Sequence, residues 1–316
     1  MKILIDVDEL EQSGAITAQL ATMLRVHAVR DTGSLAINML LAFGAIAIAA
    51  GLLALVPSPA IAAVFGVGFI LLGWLIRKLH AAQWGKLASV WMIVGALVLS
   101  GAVGVITVLP VVAPLIAAAI LSLISVVAES RLLIALVPLT LGAAIGGSTG
   151  YWHACYEISI REPTLTIVLF SALAYGAWQF AKRRTGLFQS LAIVFARVCV
   201  VLSNFGFWVG SLWGDTPGKI WSDPNSTTYF SPENQKIPEV VFIAGWAIAL
   251  FFAGAWGAKQ GRRFMVNMAA VFGAIHFYTQ WFEHIGLEPV SVIVAGVATI
   301  AFGLGMWRYN RQALSA

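Results

Sequence analysis

The sequence reads as an all-α, polytopic transmembrane helical bundle, and three patterns carry that reading. Sixty per cent of the 316 residues are hydrophobic and only 10 % are charged, against about 25 % charged residues in an ordinary soluble domain. Apolar stretches of 18 residues or more recur along the whole chain, with a mean hydropathy of +0.89. Basic residues cluster after every second stretch, as they do at the inner ends of membrane helices. A transmembrane barrel would show short alternating segments instead.

Residues 1–32 are expected to be a cytoplasmic N-terminal helical hairpin. They carry Asp6, Asp8, Glu9 and Glu11, without the apolar core and small-residue site of a cleavable signal peptide. A short acidic helix over about Asp6–Gln12 is broken at Ser13-Gly14, and Thr17 is the N-cap of a second. That second helix puts Leu20, Met23, Leu24 and His27 on one face, an amphipathic stripe that suits the membrane surface or the inner loops.

Residues 33–316 then form the membrane domain. Ten spans are expected, at about 34–56, 59–76, 87–109, 111–128, 132–152, 164–181, 188–210, 238–257, 264–283 and 289–307. Each is long enough for a hydrocarbon core about 30 Å thick. Spans three and four are separated only at Leu109-Pro110, where proline favours a turn over one very long helix.

With ten spans, fifteen of the nineteen Lys and Arg residues fall on one side, and only Arg161, Lys219 and Lys236 on the other. The positive-inside rule then puts both termini in the cytoplasm of a multi-pass inner (plasma) membrane protein. Trp74, Trp84, Trp91, Trp178, Trp256 and Trp307 fall near inner ends, and Trp152, Trp208, Trp213 and Trp281 near outer ends. That is the pattern of interfacial aromatic belts. The net charge of +5 suits loops facing anionic lipid, so membrane lipids are the expected partners, with other membrane subunits or a second copy as further candidates and no nucleic acid.

Of the nineteen basic residues, one falls on neither side. Arg197 lies near the middle of the apolar run 188–210. An ionised side chain there costs at least about 2.5–3.5 kcal/mol, so it requires polar company or a water-filled cavity. Asn204 lies seven residues on, on the same face. In the ninth span His276, Gln280 and Glu283 share another face. Both spans run outward, so the two stripes are expected at comparable depth around a common interior. Arg197, Asn204, His276, Gln280 and Glu283 are the candidate substrate-binding residues. For Arg197 two roles stay open: a working cavity, or a guanidinium held by carbonyls, Asn and Gln to set helix register. For His276 taken alone, a helix–helix hydrogen bond is the plainer role. Glu129, near the inner boundary, is assigned to Arg131 or Arg184.

Other signals exclude more than they assign. Cys155 and Cys199 differ in depth, which argues against a disulfide, and neither sits in a metal-ligand spacing. A bis-histidine haem lacks a second His at the depth of His276. No cofactor and no metal are expected, and no complete nucleophile or acid–base pair supports an enzyme. Asn225-Ser226-Thr227 is a chance glycosylation sequon, and Gly66-Val67-Gly68 lies within a span and is not a nucleotide loop. Gly142/Gly146, Gly146/Gly150 and Gly206/Gly210 are read as small-xxx-small packing pairs. Unwinding of span five at Gly146–Gly150 is the less favoured alternative. The outer loop 211–237 is rich in turn residues and holds Trp221 and Tyr229 as apolar anchors, as a lid or binding loop would.

Both ends of the chain carry a resemblance. The segment Leu10-x-x-x-Gly14-x-Ile16-Thr17 precedes a Gly-rich first span, and His276-Phe277-Tyr278-Thr279-Gln280-Trp281-Phe282-Glu283 precedes a last span ending in Arg308-x-x-Arg311. Together they resemble the bacterial domain-of-unknown-function-2157 family of membrane proteins over about a third of the chain. The resemblance implies a polytopic bacterial inner-membrane protein and no particular activity. Ten spans split five and five is also the layout of drug/metabolite-type transporters, in which an odd number of spans per half makes a repeat inverted. The function expected is therefore transport or translocation of a small solute or lipid through a buried Arg/His polar site. The alternative is a non-catalytic accessory or scaffold subunit of a larger membrane complex.

Overall fold

The computed structural model describes residues 7–12, 14–55, 57–107, 109–152, 155–218, 236–286 and 288–315. The sequon, His153, Trp221 and Tyr229 lie outside the described residues, as do the side chains of His27, Cys155, Trp307, Arg308 and Arg311. The chain is helical almost throughout: α1 (Val7–Gln12), α2 (Ala18–Leu55), α3 (Pro59–Ile106), α4 (Val112–Val127) and α5 (Arg131–Ala144) precede a hairpin of β1 (Gly147–Trp152) and β2 (Cys155–Ile160). Then follow α6 (Pro163–Lys182), α7 (Gly186–Trp213), α8 (Glu239–Lys259), α9 (Arg263–Ile285) and α10 (Pro289–Ser315). Among the described residues five segments are long and apolar enough to cross a membrane: Pro59–Leu79, Trp84–Ile106, Pro163–Lys182, Gly186–Trp213 and Glu239–Lys259. The chain is thus a membrane protein by composition and helix length, and the count of ten is not reached on this measure.

Two compact units divide it, Met1–Val108 with Ala119–Leu133, and Leu109–Ala118 with Ile134–Ala316. In the first, Gly14 takes φ +72° and ends the α1 hairpin, and the Thr17 hydroxyl accepts the Leu20 N–H at 3.4 Å as the expected cap of α2. No break falls at residue 32, however: α2 runs straight on into the first apolar segment. The likeness of an amphipathic helix to a membrane helix in backbone terms explains this, since both satisfy every internal N–H in the same way.

Spans two and three are likewise joined without a loop in α3, whose 48 residues would measure about 72 Å if straight. They are not straight. A Cβ on Gly66 would meet Leu99 at 2.8 Å, and one on Gly73 would meet the Ala88 carbonyl at 2.5 Å. The helix therefore turns back between residues 73 and 88 into an antiparallel hairpin. Gly66, Gly73 and Gly95 form its seam, beside a cluster of Phe69, Val94, Ala49 and Trp91. Arg77 holds the turn to α4: it pairs with Glu129 and donates to the Val127 carbonyl at 3.0 Å. Glu129 therefore belongs to Arg77, not to Arg131 or Arg184. Its own φ of +52° lifts it out of the helix end, which aims the carboxylate away from the residues adjacent in sequence.

Span five departs furthest from expectation. Its helix stops at Ala144, and 147–152 pairs with 155–160 in register Gly147↔Ile160 to Trp152↔Cys155. Three glycines within five residues cost about 1 kcal/mol each in a helix, Gly146 adopts φ +83°, and the following aromatic and β-branched residues suit strands. Gly146/Gly150 is consequently no helix-packing pair.

The second unit holds a run of helices, each antiparallel to the next. α6 meets α7 through Phe170 with Cys199 and through a 2.8 Å Ser171–Ser203 hydroxyl pair. Gly206 of α7 faces Thr166 and Ile167 of α6, and α7 meets α8 where Gly210 faces Phe242, so this pair does the packing expected of it, one glycine against each neighbour. Gly257 takes Val266 of α9 against it, and Tyr278 donates to the Ala295 carbonyl of α10 at 3.3 Å. Alternation puts the ends of α6 and α8 and the starts of α7 and α9 at one pole. That pole carries Lys182, Arg183, Arg184, Lys259, Arg262 and Arg263. At the opposite pole Asp215 caps α6, its Oδ2 accepting the Thr164 N–H at 2.8 Å, and its backbone exchanges two hydrogen bonds with Ile237. The stem of the long loop is thereby fastened to the helix end.

The α3 seam yields a prediction. Gly66→Leu in detergent-solubilised protein should lower unfolding stability by about 1–3 kcal/mol, as overpacking does, whereas Gly68→Ala, which meets nothing within 4 Å, should not lower it and should gain up to about 1 kcal/mol of helix propensity. Equal effects of the two in a denaturation titration would contradict the hairpin.

Candidate functional site

The five candidate residues do not form one site. Asn204 accepts the Trp246 indole N–H at 2.9 Å through Oδ1 and donates to the Val200 carbonyl at 2.8 Å. Trp246 is fully buried, and the His276 ring stands edge-on to it with centroids 4.9 Å apart. The structure thus gathers Asn204, Trp246 and His276 at one level across α7, α8 and α9. One turn further along, Trp208 donates to the Thr279 hydroxyl at 3.0 Å. Gln280 sits on the same stripe of α9; its Nε2, like the Nδ1 of His276, is shielded and makes no hydrogen bond among the described residues. Glu283 is exposed near the end of α9 and joins none of this. Trp246 was missing from the sequence reading because an indole inside an apolar run looks like any other core residue.

Arg197 sits elsewhere. Its guanidinium carbon lies 4.9 Å from the ring centre of Phe264, the second residue of α9. His276 comes twelve residues later on that helix, about 18 Å along the axis. Arg197 and His276, expected at matched depth, are therefore separated by the side-chain direction. Cα–Cβ bonds on a helix tilt toward its N-terminus, and the N-terminus of α7 is at the basic pole. The long Arg197 stem runs back toward that pole, in the manner of snorkelling side chains.

There Arg197 lines a groove of about 810 Å³ among α6, α7, α8 and α9. Lys182, Arg262 and Arg263 line it too, and among the described residues no Asp or Glu does. Trp178 and Trp256 form an edge-to-face pair in its wall, centroids 5.6 Å apart. The Lys182 ammonium sits 3.5 Å above the Trp178 ring, and the Arg262 guanidinium is 5.3 Å from Trp178 and 5.7 Å from Trp256. Among the described residues Lys182, Arg197 and Arg262 make no ion pair; each rests on an aromatic face. Such a contact contributes about 0.5–1 kcal/mol when exposed, less than the roughly 1.5–3 kcal/mol of a hydrogen bond to a charged group. An anion entering the groove therefore offers these cations better partners than they have.

Beyond Arg197 the groove turns apolar. Ala174, Val200 and Met265 line both it and a smaller cavity of about 220 Å³, which reaches Ser171, Ser203 and Asn204. A path of small and apolar side chains thus leads from the basic pole to the polar level at Trp246. Among the described residues no group of three His, Cys, Asp or Glu side chains is placed to hold a metal ion. Comparison with family models, with curated proteins and with solved structures finds no match to this chain.

The Asn204–Trp246 bond joins two helices in apolar surroundings, where such bonds contribute about 0.6 and at most 1.7 kcal/mol. A double-mutant cycle of Asn204→Leu and Trp246→Phe, followed by denaturation in detergent, should give a coupling energy in that range. Strict additivity would dismiss the bond.

Proposed function

We propose that this chain is a polytopic inner-membrane protein of about ten crossings, with both termini in the cytoplasm, that translocates an anionic small solute or lipid. The observation that carries the reading is the groove at the basic pole. Among the described residues it collects four cations and no carboxylate, and it continues into the helix bundle toward Asn204. A groove meant only to fix helix register would have paired its guanidinium with carbonyls or acids. Membrane orientation is supported by the same pole, since basic loops stay on the cytoplasmic side. The crossings beyond the five long apolar helices are supplied by α2, α4, α5, α9 and α10, of which α4 and α5 are 16 and 14 residues long. A bacterial inner membrane is part of the proposal, and it rests on the sequence resemblance of both chain ends alone.

In this scheme Arg197 is the first fixed contact for the anion. His276 and Gln280 offer shielded nitrogens further in, to a solute that has shed its water. Glu283 lies outside the path.

Two measurements test it. Single-cysteine labelling with a membrane-impermeant maleimide should place Ser13 and Ser315 on the cytoplasmic side and Thr216 on the outer side; a mixed pattern would remove the orientation. In proteoliposomes, either a fluorescent phosphatidic acid should change leaflet, read by dithionite bleaching, or entrapped radiolabelled phosphate should leave. Arg197→Gln should slow the active probe about fivefold or more, on the scale of one lost phospholipid–cation contact. Movement of neither probe would refute translocation.

A further inference from the structure

The groove is amphipathic along its length, and that property selects a ligand. At the basic pole three cations converge, Lys182, Arg197 and Arg262, each stacked on an aromatic ring and none in an ion pair among the described residues. Farther in, the walls are Ile193, Ala196, Ala174, Val200 and Met265, which offer no hydrogen-bonding side chain. A free inorganic anion would satisfy the cations and leave that apolar stretch empty or wet. A neutral lipid would fill the apolar stretch and leave the cations unmatched. Only a molecule with one anionic head and one apolar tail uses both.

We infer that the groove is a binding site for an anionic amphiphile, a phosphate or carboxylate head held by Lys182, Arg197 and Arg262 with an acyl or alkyl tail lying along Ala174, Val200 and Met265 toward Ser203. This rests on the groove already assigned to translocation and names what enters it. The dimensions agree: the mouth, about 810 Å³, lies within the roughly 300–1,000 Å³ of small-molecule sites, and the cavity of about 220 Å³ beyond adds room for part of a chain. Arg suits a phosphate or carboxylate head because its planar fork donates two parallel hydrogen bonds. Trp178 and Trp256 flank the head where indoles favour the boundary between headgroup and chain.

The amphiphile has two sources, the membrane itself or the aqueous side, and the experiment separates them. Full-length protein in phosphatidylcholine nanodiscs is doped with a dibromo-acyl phosphatidic acid or, as reference, a dibromo-acyl phosphatidylcholine. Bromine quenches tryptophan on contact. Ordinary lipid contact quenches equally with both, so the excess for phosphatidic acid reports the groove. Wild type should show that excess. Each cation removed should weaken the preference about fivefold, so Arg197→Gln with Arg262→Gln should abolish it. Arg197→Lys with Arg262→Lys should keep most of it and controls for folding. Dodecyl phosphate added from solution should displace the brominated lipid if the site opens to water, and should fail to if the lipid arrives only through the bilayer; both results uphold the site. Inorganic phosphate should not displace it at equal concentration. No excess in wild type, an excess unchanged in the double glutamine variant, or full displacement by inorganic phosphate would each overturn the proposal. Binding without leaflet transfer would leave this site standing and remove translocation alone.

Discussion

Hydrocarbon satisfies neither a backbone N–H nor a guanidinium, and most of this molecule follows from that. Backbone groups are closed within helices, so the chain is helical wherever it is long and apolar. Among the described residues the one regular exception, the β1–β2 hairpin, pairs its strands with each other and begins in a glycine-rich segment that a helix tolerates poorly. The guanidinium of Arg197 obeys the same rule by travelling: its stem runs to the basic pole and its charge rests above Phe264.

Helices that gain nothing from hydrophobic contact with one another need close packing to stay together. Glycine supplies it at Gly66, Gly73 and Gly95 within α3, and at Gly206, Gly210 and Gly257 in the second unit, where neighbours occupy the space of a Cβ. Sparse hydrogen bonds then fix register, through Ser171 with Ser203, Asn204 with Trp246 and Trp208 with Thr279. Packing on small residues leaves gaps where side chains shrink, and the path from Arg197 past Ala174 and Val200 to Ser203 is such a gap. Function and architecture thus share one cause, since small side chains that let helices approach also leave room between them.

What could be read in advance was whatever depends on a residue's own solvation and neighbours in sequence. The Thr17 cap, the Gly14 break and the packing role of Gly206 and Gly210 were legible for that reason. The polar stripe of α9 was legible as a stripe, and Asn204 does meet its level. What was not legible depended on direction and reach. Depth counted in residues put Arg197 beside His276, but a long side chain on a helix points toward the N-terminus and covers several ångströms of that count. Glu129 looked like a neighbour of Arg131 and pairs instead with Arg77, because a positive φ turns it out of the helix. Asp215 lies in the turn-rich loop 211–237, yet its carboxylate caps a helix that begins 52 residues earlier.

Composition by itself determined that this is a helical chain with segments apolar enough to cross a membrane, because transfer free energies add residue by residue and need no partner. Only the tertiary structure decided that the basic pole encloses an aromatic-walled groove with no acid among its described residues, and that Trp246 rather than Arg197 links the polar stripes of α7 and α9. Those facts rest on which helix faces which and where each side chain ends, and a one-dimensional count of residues contains neither.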